Sequence, residues 1–188
     1  MTELPKDLTF RPSRDETYIA FAAAIDAWSK VEWQMVFLFN SVNTPNDFNK
    51  SGSILISIIG IQAQLRVIEA AARTHLREHE ELLREVERTT EKIGKKATIR
   101  NRIIHGRWRD SHYFHEGKYS HTELERVFSV EQVFGPTYKT QQERRALAGK
   151  FLFDKSELEK ATEMFERLSR TIFDLQLRIV STFVPRLG

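Results

Sequence analysis

The sequence predicts an all-α protein, an antiparallel four-helix bundle with a small β-hairpin or extended insertion before the last helix. Apolar residues recur at steps of three and four over four long stretches, a spacing typical of bundle helices. The period is lost between the third and fourth stretches, while the other links are short. We therefore predict one domain over residues 1–188, with helices near 15–42, 53–75, 79–105 and 155–183 and an insertion over 107–153.

A charged residue interrupts the apolar seam of the first predicted helix. The seam consists of Tyr18, Phe21, Ile25, Trp28, Met35, Phe39 and Val42. Glu32 lies one turn after Trp28, where a carboxylate needs water or a cation to offset its desolvation. Glu32 therefore lies either at the hydrated edge of the seam or opposite a basic site elsewhere in the bundle. The segment 31–39 is apolar nearly all round, which predicts a central position or cover by a second subunit.

The second and third helices follow a cluster of turn-forming residues at 43–47. The stripe of the second helix consists of Ile54, Ile58, Ile61, Leu65, Ile68 and Ala72, and no strong stop signal ends it. The third helix carries Leu82, Leu83, Val86 and Ile93. Gly94 predicts a local bend because glycine weakens a helix interior. Gly106 predicts the end of this helix, because glycine is favoured just after a C-terminus.

The insertion is rich in aromatic and β-branched residues and in turn signals. Glu116–Gly117 predicts the turn of a short hairpin over 108–119, and 126–134 is predicted to be extended. The segment 135–150 is polar and basic towards its end, and its role is left open. Asp154 with Glu157 three residues later predicts a capping box at the start of the last helix.

Positive charge is concentrated in one part of the chain, although the formal net charge is only +3. The basic residues between positions 88 and 109 are Arg88, Lys92, Lys95, Lys96, Arg100, Arg102, Arg107 and Arg109. Glu91 is the one acidic residue between Arg88 and Arg109. Such a block attracts phosphates. It is also what a solvated helix end shows, since cations are favoured near a helix C-terminus.

Composition excludes several kinds of site. The chain has no cysteine, so disulfides, thiol nucleophiles and cysteine-ligated zinc are excluded. The N-terminal residues lack the order of a secretory signal. The apolar stretch 54–61 is much shorter than the about 20 residues that a membrane-spanning helix needs. We therefore expect a soluble, cytoplasmic protein without a membrane partner.

The end of the third predicted helix carries the side chains that are best suited to catalysis. Asn101 and His105 are four residues apart and share a helix face, while Arg100 is offset from Asn101 by about 100°. Guanidinium can stabilise a pentavalent phosphorus, and imidazole can transfer protons near neutral pH. These groups are suited to RNA cleavage without metal. One helix supplies one such set, so a complete site favours two copies across a two-fold axis.

The sequence Arg100-Asn101-x-x-x-His105 resembles the signature of the HEPN superfamily, an arginine, a polar residue and a histidine shortly afterwards. Gly106 and Trp108 extend the resemblance to a bacterial subgroup, as does Trp28-x-x-x-Glu32 on the first helix. The resemblance implies a HEPN-like helical bundle that forms a homodimer and cleaves RNA without metal or cofactor. It implies Arg100, Asn101 and His105 as catalytic residues.

The resemblance also implies a biological setting and an alternative. Many members are toxins or phage-defence effectors, so an antitoxin protein is a possible partner. We name Glu32, Arg102, Arg107 and Trp108 as supporting residues. The alternative is an inactive HEPN-like module that binds RNA, nucleotides or proteins.

Other candidate sites rest on single residue types. His112, His115 and His121 have a spacing that zinc can use, but a polar loop explains them better, and no metal site is predicted. His75 and His79 are predicted to be solvated. Aromatic residues of the insertion either stack on unpaired bases or pack a hairpin onto the bundle.

Overall fold

The computed structural model describes residues 14–43, 48–115, 118–127 and 152–183, and for 14, 48, 107–115, 118–127 and 152 it describes the backbone alone. The helices are α1 (Arg14–Asn43), α2 (Phe48–Ser57), α3 (Ile61–His75), α4 (Glu80–His105) and α5 (Lys155–Phe183). The strands are β1 (Arg107–His115), β2 (Lys118–Val127) and β3 (Leu152–Phe153). The helical character agrees with the predicted all-α class.

The prediction of one helix over 53–75 was wrong, because the chain breaks into α2 and α3 at residues 58–60. Gly60 has a φ of 92°, a left-handed conformation that glycine adopts without steric penalty. Its carbonyl accepts bonds from the amides of Ala63 at 3.0 Å and Gln64 at 3.2 Å, which start α3. The apolar spacing continues across the break, so periodicity alone did not reveal it.

Gly94 does not interrupt α4, which is one continuous helix from Glu80 to His105. A Cβ atom at this position would lie 3.2 Å from Nε2 of Gln62 and 3.6 Å from Cδ1 of Leu65. The glycine therefore allows α3 to approach α4 closely. The continuity of α4 does not test the predicted bend at Gly94, which stays a prediction.

The chain divides into two compact units. One consists of residues 1–24 and 101–160, and the other of residues 25–100 and 161–188. In the second unit the largest fully buried side chains are Trp28, Met35, Leu38, Leu55, Ile68, Leu76, Ile93, Phe165, Ile172 and Leu175. Gln176 also lies here and donates from Nε2 to the backbone oxygen of Gln34 at 2.8 Å, which links α5 to α1.

The first unit contains the strands. β1 pairs antiparallel with β2, with Phe114 opposite Tyr119, and Arg126 of β2 pairs with Phe153 of β3. The antiparallel pair is longer than the hairpin predicted over 108–119, while the predicted turn and the segment 128–151 lie outside the described residues. Asp154 caps α5, since its Oδ1 accepts from the amide of Glu157 at 2.8 Å.

Within the described residues, no helix is both long and apolar enough to cross a bilayer.

Candidate functional site

Arg100 lies near the C-terminal end of α4, on the side of the helix that faces the protein interior. It follows Ile93, which is 0% exposed, by seven residues, so the two side chains project in similar directions. Its Nη2 lies 3.3 Å from Oε1 of Glu32 on α1. The exposed fractions of the two side chains are 28% for Arg100 and 46% for Glu32. The pair is therefore open to solvent on one side and supported by helices on the other.

Glu32 is fixed by a second hydrogen bond. Nε1 of Trp28, one turn earlier, donates to the same Oε1 at 2.6 Å. Trp28 is 1% exposed, and its ring packs edge-on against Phe165 with the centroids 5.0 Å apart. A buried indole thus holds the carboxylate that contacts Arg100. The two interpretations of Glu32 turn out to be compatible, since it lies at the edge of the seam and also contacts a cation.

Asn101 and His105 occupy the last turns of the same helix. Asn101 is half-buried and His105 is exposed. Because they are four residues apart, they share one face of α4, whereas Arg100 and His105 differ by about 140° around the helix axis. The amide of Gly106 donates to the carbonyl of Arg102 at 3.0 Å, which closes the helix. Within one chain, α4 therefore presents Arg100 and His105 in different directions.

Of the other supporting residues, the structure describes the side chain of Arg102 but only the backbone of Arg107 and Trp108. Arg102 is half-buried on α4. Arg107 and Trp108 belong to β1, where they pair with Val127 and Arg126. Their side chains lie outside the described part of the structure. His112 and His115 lie on β1 and His121 lies on β2, not in the expected polar loop. Their side chains also lie outside the described part of the structure, so nothing here tests zinc binding by them. Among the side chains that are described, no group of three or more histidine, aspartate or glutamate residues could hold a metal ion.

The basic block is largely exposed along α4. Arg88, Lys92 and Lys95 are exposed, and Lys96 is half-buried. Nζ of Lys95 lies 2.6 Å from Oε1 of Glu91. This hydrogen bond, with the positive charge behind it, holds the pKa of Glu91 below its usual value. The charge of Lys95 is thus partly offset, while Arg88 and Lys92 continue the positive surface towards the middle of the helix.

His75 and His79 are half-buried rather than solvated. Their rings lie 4.4 Å and 5.1 Å from the ring of Phe183, measured between centroids. His75 is the last residue of α3, and His79 immediately precedes α4. Their contact with Phe183 indicates a packing role at the end of α5.

Two residues that the sequence patterns did not single out lie next to Glu32. Trp33 and Gln64 line a cavity together with Glu32. Trp33 is 56% exposed although its helix is largely buried at this level. The sequence could have indicated Trp33, because the segment 31–39 is apolar nearly all round and so places an aromatic residue on the outer face of α1.

No family model, no curated protein and no solved structure matches this chain.

Proposed function

We propose that the chain is a metal-independent endoribonuclease of the HEPN type, acting as a homodimer. Arg100 stabilises the charge on the phosphorane, and His105 transfers protons. Asn101 positions the phosphate or the motif of the second copy. Arg102, Arg107 and Trp108 contribute to RNA contact around this centre. No metal or cofactor takes part in this scheme.

One observation supports the proposal above the others. Two short motifs, Trp28-x-x-x-Glu32 and Arg100-Asn101-x-x-x-His105, meet through the contact between Glu32 and Arg100 across 68 residues of sequence. A guanidinium supported by a carboxylate that is itself locked by a buried indole is preorganised for an anion.

The orientation of the motif residues argues for two copies of the chain. Arg100 and His105 project about 140° apart on α4, so one helix does not direct both at the same phosphorus atom. Two motifs that face each other across a two-fold axis would supply a guanidinium and an imidazole from different helices. The proposed active site is therefore composite.

The proposed reaction is an internal transfer. His105 of one protomer takes the proton of the 2′-hydroxyl, and the 2′-oxygen attacks phosphorus. The bond from phosphorus to the 5′-oxygen breaks, and His105 of the other protomer donates a proton to this leaving oxygen. The products are a 2′,3′-cyclic phosphate and a free 5′-hydroxyl, so neither water nor metal is consumed.

The decisive experiment is cleavage of RNA by the purified protein in EDTA, with analysis of the product ends. We expect 2′,3′-cyclic phosphate ends and loss of cleavage in His105→Ala. His79→Ala is the matched control, because His79 also lies beside a helix end but contacts Phe183. Cleavage by His105→Ala at the wild-type rate, or cleavage that requires added metal, contradicts the mechanism.

An inactive RNA-binding module is the second candidate, and one observation favours it. Arg100 already contacts a carboxylate and is only 28% exposed, so its charge is partly offset before any RNA arrives. This candidate predicts binding of RNA or nucleotides without cleavage, weakened in Arg100→Ala. Binding titrations with uncleaved RNA and the cleavage assay together separate the two candidates.

The biological role that accompanies the proposed activity is that of a toxin or phage-defence effector, with an antitoxin as partner. Expression of the wild-type chain is expected to arrest bacterial growth, and His105→Ala is expected to relieve the arrest. Arrest by both forms at equal protein levels would count against a nuclease toxin.

A further inference from the structure

A cavity of about 360 Å³ lies between α1, α2 and α3, in the unit that also contains Arg100. Its apolar walls include Trp33, Leu55 and Ile56, and its polar lining comprises Ser29, Glu32 and Gln64. The volume falls in the range of sites that take small organic ligands. Because Glu32 contacts Arg100, the cavity adjoins the centre of the proposed function.

One wall of the cavity is an aromatic residue with no place in the core. Trp33 is 56% exposed and Ile56 is 63% exposed. Trp33 and Glu32 both line this cavity, and the exposed indole of Trp33 is accessible to a ligand. Aromatic faces of this kind stack on nucleobases, an interaction worth about 1–3 kcal/mol per base by alanine substitution.

The polar lining offers hydrogen-bond acceptors. Both bonds of the Glu32 carboxylate, from Trp28 and Arg100, go to Oε1. Among the residues that the structure describes, none donates to Oε2. Ser29 already donates its hydroxyl proton to the carbonyl of Ile25 at 3.1 Å. A ligand that bonds to Oε2 of Glu32 must therefore bring a hydrogen-bond donor.

Gln64 is oriented by its own contacts. Its Nε2 donates to the carbonyls of Leu55 at 3.2 Å and Ile58 at 3.1 Å, beside the break between α2 and α3. Two carbonyl partners require the nitrogen of the amide on that side, which leaves Oε1 of Gln64 as an acceptor. The same contacts hold the end of α2 against α3, so this wall of the cavity is formed before a ligand arrives.

We propose that this cavity binds a nucleobase that carries an exocyclic amino group, stacked on Trp33 with an N–H donated to Oε2 of Glu32. This inference rests on the proposed function, since it assigns the cavity to the base next to the phosphate that Arg100 contacts. Adenine, cytosine and guanine each carry an amino group that a carboxylate can accept from. Uracil places carbonyl oxygens on both sides of its one N–H, and these repel a carboxylate.

The first test measures binding of adenosine, cytidine, guanosine and uridine to the intact protein by NMR titration. Nucleosides lack a phosphate, so the measurement does not depend on Arg100 or on cleavage. We expect uridine to bind at least about tenfold more weakly than the best of the other three, which is the discrimination of one well-placed hydrogen-bonded contact. Equal binding of all four, or no saturable binding at millimolar concentrations, overturns the inference.

Two variants locate the binding. Trp33→Leu is expected to weaken nucleoside binding at least about fivefold, because the stacking surface is lost. Phe37→Leu is the matched control, since Phe37 lies one turn later on α1, is 42% exposed and does not line the cavity. Equal losses in both variants, or no loss in Trp33→Leu, would show that the base does not stack on Trp33.

Glu32→Gln tests specificity rather than affinity. A glutamine can still accept from Trp28, but its amide nitrogen can donate to a carbonyl of uracil. We therefore expect the discrimination against uridine to shrink to less than about threefold, an outcome that a merely structural role for Glu32 does not produce. If Glu32→Gln still binds uridine as weakly relative to the other nucleosides, the base does not donate a hydrogen bond to Oε2 of Glu32.

The outcome separates this inference from the proposed function. RNA cleavage without selective nucleoside binding would support the proposed nuclease activity and contradict the proposed base site. Selective nucleoside binding without RNA cleavage would support the base site and contradict the proposed nuclease activity.

Discussion

Arg100 and His105 belong to one helix and one sequence motif, yet their surroundings differ. Arg100 contacts Glu32, which is held by the buried Trp28, whereas His105 is exposed in the last turn of α4. Removing a group that contacts the interior changes folding and chemistry together. Removing an exposed group changes chemistry alone. The comparison predicts that substitutions at Arg100 and at His105 have different effects. Substitutions at His105, Trp28, Arg100 and Glu32 test it.

The largest expected effect is the loss of cleavage rate on substitution of the exposed His105. His105→Ala is expected to reduce the cleavage rate by about 10²–10⁴, the range for loss of a general acid–base group. Its free energy of unfolding should change by less than about 0.5 kcal/mol, as for other exposed substitutions. Rate assays and urea unfolding on the same preparation measure both quantities. A large loss of stability would show that His105 contributes to the fold, as Arg100 is expected to do through its contact with Glu32.

Trp28→Ala is expected to have the largest effect on stability. Removing a buried tryptophan that packs against Phe165 should lower the free energy of unfolding by about 3–5 kcal/mol. Trp28→Phe keeps most of the ring but removes the donor to Glu32, so it should be less destabilising and still reduce activity. Thermal unfolding with cleavage assays distinguishes the packing from the hydrogen bond. Full activity in a folded Trp28→Phe would show that Glu32 needs no donor from α1.

Arg100→Ala is expected to reduce the cleavage rate by about 10²–10³, the range for loss of one electrostatic stabiliser of the transition state. Arg88→Ala on the same helix is the control, because Arg88 is exposed and lies three turns earlier. It should mainly weaken RNA binding and its salt dependence. Equal rate losses in both variants would point to general charge rather than to the position of Arg100.

The smallest expected effect is the coupling between Glu32 and Arg100. With 28% and 46% of the two side chains exposed, the pair should contribute about 0.2–1 kcal/mol in a double-mutant cycle. Glu32→Gln, Arg100→Met and the double variant, unfolded by urea, give the coupling energy. A coupling near zero would mean that the contact positions Arg100 without stabilising the fold.

The sequence predicted the helical class well because apolar spacing reports which face of a helix is buried. It placed the motif at the end of a helix, and the structure has α4 ending at His105. It also offered Glu32 as a partner for a basic site, and Glu32 does contact Arg100. These inferences used local patterns, which are strong where a long helix has one clear apolar face.

The sequence failed where a three-dimensional contact decided the outcome. The stripe from Ile54 to Ile68 keeps its period through residues 58–60, and only the backbone conformation of Gly60 reveals two helices. His75 and His79 appeared solvated because their sequence neighbours are charged, whereas their partner Phe183 lies about a hundred residues later. The cavity at Trp33 is lined by residues of α1, α2 and α3, so no single stretch of sequence reveals it.

The link made by Gln64 also bears on how the chain folds. α2 has 10 residues and α3 has 15, lengths at which isolated helices are marginal in water. The bonds from Gln64 to Leu55 and Ile58 span only nine and six residues, so closing them costs little chain entropy. We expect α2 and α3 to become protected together in pulsed hydrogen exchange, ahead of pairings such as Gln34 with Gln176, which span 142 residues. Gln64→Leu would then slow the protection of α2 in particular.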